Sequence, residues 1–288
     1  MKKTIAALLS AAMLVALAAG CESKKEETES STDATSAAVT DVTVATKDDA
    51  SGKTFTVGFD AEFPPYGYQD DNGEYVGFDL DLAAEVCKRN GWELVKKPID
   101  WDSKDLELGS GTIDCIWNGF TINGREDDYT WTEAYVDNSQ VFVVAADSGI
   151  AKPADLAGKT VVVQADSSAL AALTDEEDND ENLALAATFG ELMEVADYNT
   201  AFMNLEAGAA DAVAMDIGVA KYQIESRGDK FVILDDVLAA EEYGVGFKKG
   251  NTELRDTVQK TLNEMAEDGT FMKIAKEWKL EDSVVLGK

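Results

Sequence analysis

The chain contains no histidine. That absence removes Ser-His-Asp and Cys-His catalysis, HExxH zinc sites and imidazole general bases. Any chemistry would have to rest on carboxylates, lysine, tyrosine, serine or cysteine. Cysteine is scarce at three, too few for a disulfide scaffold, and proline is scarce at four. Positive charge is also short. There are 25 Lys and Arg against 56 Asp and Glu, for a formal net charge of −31. So acidic a chain is not built for nucleic acid, which needs basic surface to release counterions. No internal repeat is present.

What remains is ordinary for a soluble globular protein. Hydrophobic residues make up 45% of 288 positions, enough for a real core and comfortable for two domains.

The first twenty residues read as an address. Lys2 and Lys3 are a short positive start, and Ile5 to Ala19 are almost wholly apolar. The apolar run is too short for a comfortable membrane span. Ala18-Ala19-Gly20-Cys21 resembles the lipobox of bacterial lipoproteins, with Ala18 where Leu is commonest. The resemblance implies cleavage after residue 20 and acylation of Cys21, a membrane anchor made of more than one acyl chain. Residues 21–50 hold Ser, Thr, Ala, Lys and acids but no aromatic residue, Gly or Pro. They read as a disordered tether.

Beyond it, strands and helices alternate. Phe55 to Phe59 reads as a strand, followed by the aromatic, Pro-locked loop Asp60-Ala61-Glu62-Phe63-Pro64-Pro65-Tyr66. Asp70 to Gly73 is a turn between two extended pieces. Phe78, Leu82 and Val86 mark a helix with Asp79 or Asp81 as N-cap and Gly91 just past its end. Strands are expected at 92–97, 113–120, 141–145, 159–164, 212–215 and 231–234. Helices are expected at 103–108 (closed by Gly109), from 168, at 200–207 and at 217–226. Two more carry the stripes Leu254, Val258, Leu262, Met265 and Phe271, Ile274, Trp278. The acidic run 175–181 reads as a solvated loop. The alternation predicts an α/β fold with largely parallel sheets.

Five stretches in order resemble the amino-acid-binding proteins of bacterial ABC importers, family 3 of the extracellular solute-binding proteins. They are Asp60 to Tyr66 followed by Val76 to Ala83; Leu108 to Asp114 leading to Gly119 to Arg125; Asp155 to Lys159 with Val161 to Ser168; Ala207 to Ala212; and Asp268-Gly269-Thr270 before Trp278. Each is weak alone, and their order and spacing make the set specific. The resemblance covers residues 54–280. It implies a type II periplasmic-binding fold, two α/β lobes, each a mixed, mostly parallel sheet flanked by helices, joined by two strands with the ligand between them. Lobe 1 would be 51–145 plus 241–288 and lobe 2 would be 146–240, with crossings near Ala145-Ala146 and Glu242-Tyr243-Gly244.

The resemblance further implies residue roles. A free amino acid needs a cation and N–H donors for its carboxylate and acceptors for its ammonium. Arg125 matches the carboxylate-binding position, with one residue fewer before it than the family's common form. Thr121 and the backbone at Asn118 and Gly119 resemble the stretch that bonds ammonium and carboxylate. Ser167 and Ser168 precede a helix whose free N–H groups could cradle an anion. The family usually has Gly where Asp166 stands, which puts the cradle's geometry in question. Asp216 matches the ammonium acceptor, or is an N-cap. Asp60, Phe63 and Gln164 would read a polar side chain, with Tyr66, Trp101 and Trp117 structural. The implied function is a lipid-anchored, extracytoplasmic, monomeric binding protein that delivers an L-amino acid to an ABC permease and its ATPase. No cofactor or metal is implied, and no catalysis. The alternatives are a secreted dehydratase acting on a prephenate-like acid on the same fold, and a surface lipoprotein that senses a ligand without transport. Cys87 and Cys115 are expected as buried free thiols, the alternative being one disulfide formed outside the cell.

Overall fold

The computed structural model describes residues 52–175, 180–228 and 230–288. Cys21, the signal and the tether lie outside the described residues, as does most of the acidic run 175–181.

The first strand, β1 (Thr54–Phe59), runs into the short antiparallel sheet β2 (Glu62–Phe63), β3 (Gly67–Gln69) and β4 (Tyr75–Val76). Helix α1 (Phe78–Asn90) buries Phe78, Leu82, Val86 and Cys87 on one face, as the four-residue spacing predicts, and Gly91 caps its end in the left-handed region. The expected caps differ. Gly77 is the N-cap, and Asp79 turns inward to accept the Gly119 N–H at 2.6 Å and the Tyr135 hydroxyl at 2.8 Å. Burial pushes the Asp79 carboxyl up to about 7.

The chain continues through β5 (Glu93–Pro98), α2 (Lys104–Ser110), β6 (Cys115–Thr121), β7 (Tyr129–Trp131) and β8 (Val136–Ala145). Helix α2 passes through Gly109 and closes at Gly111, whose φ of 78° permits the cap. Next come β9 (Thr160–Gln164), α3 (Ser168–Thr174), α4 (Asp180–Ala186), β10 (Glu191–Val195), α5 (Tyr198–Glu206), β11 (Ala212–Asp216) and α6 (Ile217–Arg227). The chain closes with β12 (Phe231–Lys248), α7 (Thr252–Glu267) and α8 (Thr270–Glu277). Element α4 and strand β10 were not anticipated from the sequence.

Among the described residues the large sheet has the order β10-β9-β11-β8-β12-β6-β1-β5, with β7 also paired to β12. Two groups of parallel strands, β5-β1-β6 and β10-β9-β11, flank an antiparallel pair. The sheet is thus mixed, parallel within each group and antiparallel where β8 and β12 join them. Strands β6 and β11 are buried at every residue, as expected of strands covered on both faces.

Strand β8 begins five residues earlier than expected and β12 runs far past Leu234. Val141 to Val144 already pair with β11, and Tyr243 pairs with Thr121 of β6. Strands β8 and β12 pair with each other from Phe231 opposite Ala145 to Tyr243 opposite Val136. Cys87 and Cys115 are free and buried.

Candidate functional site

The loops after β1, β6, β9 and β11 bring the predicted residues together. Asp60 follows β1 and is 6% exposed. Its N–H donates to Asn118 Oδ1 at 2.9 Å, its Oδ1 accepts the Glu62 N–H, and its Oδ2 accepts Gln164 Nε2 at 2.6 Å. Burial raises its carboxyl to about 6, against the pull of these bonds. Gln164, at the end of β9, is 1% exposed and donates also to the Ala196 carbonyl.

Phe63 packs between the rings of Tyr66 and Tyr198. Gly119 sits beside it with φ of 56°, and a Cβ there would come within 2.9 Å of both Phe63 and Tyr243. Its N–H is taken by Asp79, so that donor is not free for a ligand. Trp117 is fully buried; Trp101 is half-buried against Phe120.

Arg125 is half-buried and donates to Ser168 Oγ at 2.9 Å and to the Thr121 carbonyl at 3.4 Å. Ser168 is the first residue of α3, and Ser167 caps it by accepting the Leu170 N–H at 3.1 Å. The guanidinium, both serines and the open end of α3 thus meet. A planar cation beside free N–H groups is a receptor for a carboxylate.

Asp166 adopts φ of 55° and pairs with Lys104 on the wall of the same cradle. Lys104 is 1% exposed, lies 5.1 Å from the Trp101 ring centroid, and is held below the usual lysine range by burial. The charge of this acid is therefore balanced beside the anion cradle. Sequence reasoning missed Lys104, since a lysine opening a short helix looks like surface.

Asp216 occupies the N-cap position of α6 but its side chain makes no capping bond. It faces inward, 4% exposed, and accepts from Asn138 Nδ2, Gln140 Nε2 and Tyr243 Oη. Beside it stands Glu241, 6% exposed, accepting from the same two amides. Neither Glu241 nor the amides were singled out. Their signal was the period-two spacing of Asn138 and Gln140 on the unexpected first half of β8.

A cavity of about 490 Å³ is lined by Lys104, Arg125, Asp166, Ser167, Ser168 and Glu241, among others. A second, of about 730 Å³, opens from Asp60 and carries Glu62, Asp100, Asp102, Glu107 and Asp197 on its walls. The first cavity thus holds both cations of the site, Lys104 and Arg125, among carboxyl groups, and the charged groups of the second are all acids.

An α/β fold with this mixed sheet and a charged, buried site at the ends of its strands defines a ligand-binding protein of the periplasmic-binding class. Residues 55–281 match the family model for bacterial extracellular solute-binding proteins, family 3, and the chain belongs to that family. The L-cystine-binding protein TcyA of Bacillus subtilis is 32% identical over 232 residues, covering 79% of this chain and 81% of that one. The arginine-binding extracellular protein ArtP of Bacillus subtilis is 29% identical, covering 78% and 86%. Among solved structures, a substrate-binding protein of an ABC uptake transporter from Streptococcus pneumoniae with bound histidine superimposes with a TM-score of 0.75. It is 33% identical over 81% of this chain and 94% of that one. By name the first two are amino-acid-binding proteins, and the third is the substrate-binding protein of an ABC uptake transporter. Among the described residues no helix is long and apolar enough to cross a membrane.

Proposed function

We propose that this protein captures a free, polar L-amino acid and hands it to the permease of an ABC importer. The observation that carries the reading is the Arg125–Ser168 contact at the start of α3, which lines one cavity together with Glu241. Such a cavity offers a cation to the ligand's carboxylate and an acid to its ammonium.

In this reading Arg125, Ser167 and Ser168 take the carboxylate, and Thr121, Asn118 and Gly119 shape the wall beside it. Asp216 supplies charge for the ammonium. Phe63 covers the ligand, and Asp60 with Gln164 meets its side chain. The acidic walls next to Asp60 favour a side chain ending in a cation. Relatives bind L-cystine and arginine by name, which supports an amino acid without selecting one.

The parallel groups β5-β1-β6 and β10-β9-β11 act as the cores of two lobes, with β8 and β12 as the crossing strands. Binding draws the lobes together by hinge motion, and the closed form docks on the permease. Cys21 carries the lipid that holds this monomeric protein at the outer face of the cell membrane. Loss of membrane association in Cys21→Ala, read by detergent phase partition, tests that anchor.

The function is tested by a thermal-shift screen of unfolded and refolded protein against the twenty L-amino acids, cystine and ornithine. A ligand at a thousand times its Kd adds about 4 kcal/mol. That is a rise of a few degrees for a chain of this size. One or a few clear hits are expected. A folded sample that responds to none would sink the amino-acid reading.

A further inference from the structure

Asp216 ends β11 and Glu241 lies within β12, yet their carboxyl groups meet. Asn138 Nδ2 is 2.8 Å from Asp216 Oδ1 and 2.6 Å from Glu241 Oε1. Gln140 Nε2 is 2.8 Å and 2.7 Å from the same two oxygens. Two shared donors hold those oxygens side by side. Tyr243 donates to Asp216 Oδ1 at 2.5 Å and Tyr198 to Oδ2 at 3.3 Å.

No positive charge balances the pair. The groups facing it are Asn138 and Gln140 from β8, Thr121 from β6, Tyr198 from α5, and Tyr66 and Tyr243. All are uncharged, the three tyrosines being pushed up by burial. Besides Glu241, the charged groups of the adjoining cavity are Arg125, Lys104, Asp105, Asp128, Asp166 and Asp175. Lys104 is engaged by Asp166 and Arg125 by Ser168. Among the described residues no lysine or arginine lies within ion-pair distance of Asp216 or Glu241.

Two desolvated carboxylates side by side cannot both ionise, so one keeps a proton. Burial and the neighbouring Asp216 raise Glu241 to about 8, and burial raises Asp216 as well. The amide oxygens Asn138 Oδ1 and Gln140 Oε1 are also buried without a donor. The cluster is rich in acceptors and short of one positive charge, which is what an ammonium with three N–H groups supplies. Glu241 lines the same cavity as Arg125, Ser167 and Ser168.

We infer that Glu241 and Asp216 form a single two-carboxyl ammonium subsite that holds a proton while the protein is empty and loses it to solvent when the ammonium docks. The inference rests on the amino-acid reading above and adds Glu241 to it. The ammonium keeps its three protons, the carboxyl proton leaves, and the net charge of the subsite is unchanged. Affinity then rises with pH by up to about tenfold per unit below the range where the empty pair titrates.

Two measurements test it. In ligand-free protein, the carboxyl carbon shift of Glu241 should titrate near pH 8, with a lower midpoint in Asp216→Asn. A Glu241 midpoint below about pH 5 would overturn the inference without touching the binding function. Calorimetric titration with L-arginine, L-glutamine and L-cystine at pH 7.5, in two buffers of different ionisation enthalpy, reads proton release. More than about half a proton should leave per ligand bound, and Glu241→Gln should abolish the release. Asp60 titrates near 6 and adds little at that pH. Binding without proton release, or equal release in Glu241→Gln, would refute the subsite while leaving the binding function intact. Binding of no compound from the thermal-shift screen above, with Glu241 still titrating near pH 8, would remove both the amino-acid reading and the displacement built on it.

Discussion

Lys104 and Asp166 form an ion pair in which the lysine side chain is 2% exposed and the aspartate holds left-handed backbone at φ of 55°. A non-glycine residue in that region costs about 1–2 kcal/mol, less for an aspartate than for most. The compensation is the partner it gives to a buried cation. Asp166→Asn keeps a side chain that tolerates the backbone but removes the charge. Because Asp166 is half exposed, solvent screens the pair, and the expected loss is about 1 kcal/mol. Urea unfolding should show that loss in the wild-type background and not in Lys104→Met. An equal loss in both would mean that the pair does not couple.

Asp60 gives a stability profile with a definite sign. Its carboxyl is raised from 3.8 to about 6 in the folded protein. Between those values the folded state holds more protons than the unfolded state, so stability falls as pH rises through that window. A shift of this size corresponds to about 3 kcal/mol, as an order of magnitude. Asp60→Asn removes this contribution, so the mutant should lose less stability than wild type between about pH 4 and 6. Chemical denaturation of ligand-free protein at several pH values reads it. Identical slopes in the two proteins would show that Asp60 ionises freely.

Gly119 is fixed by its neighbours. Its φ of 56° disfavours a side chain, and an added Cβ would lie 2.9 Å from the rings of Phe63 and Tyr243. Gly119→Ala should therefore lose about 2–4 kcal/mol from overpacking and backbone strain together. Gly124 is a built-in control, with φ of 78° and nothing within 4 Å of an added Cβ. Gly124→Ala should lose only the backbone part, about 1–2 kcal/mol. Equal losses by urea denaturation would show that the ring contacts at Gly119 do not matter.

The elements that read well from sequence are those whose burial repeats at short range. Helix α1 carries its core stripe every four residues, and β6 and β11 are mostly apolar and buried along their whole length. Asp60, Arg125, Ser168 and Asp216 were legible because each ends or follows such an element within a recognisable segment. Glu241 and Lys104 were not, because their burial is imposed by residues far away in sequence. Lys104 is covered only once the loop holding Asp166 arrives, and Glu241 only once β8 and β12 pair. Asp79 failed for a related reason. A helix-start aspartate favours capping locally, but the Gly119 N–H and the Tyr135 hydroxyl offered a buried alternative.

Arg125 is the residue on which the binding reading can be tested most directly. Its guanidinium is positioned by Ser168 and lies 5.4 Å from the Phe120 ring centroid, so the fork is held before any ligand arrives. A preset planar donor matches two carboxylate oxygens at once, which an ammonium on a flexible stem cannot do. Arg125→Ala should weaken amino-acid binding by at least about 2 kcal/mol, because the ligand's carboxylate is then buried without a counter-charge. Arg125→Lys restores the charge but not the fork, and its affinity should fall between the two. Asp216→Ala removes charge at the opposite end of the ligand and should cost at least as much as Arg125→Ala. Isothermal titration of the three variants decides the matter. Wild-type affinity in both alanine variants would place the ligand elsewhere, whereas loss in Arg125→Ala alone would keep the carboxylate cradle and leave Glu241 as the main ammonium acceptor.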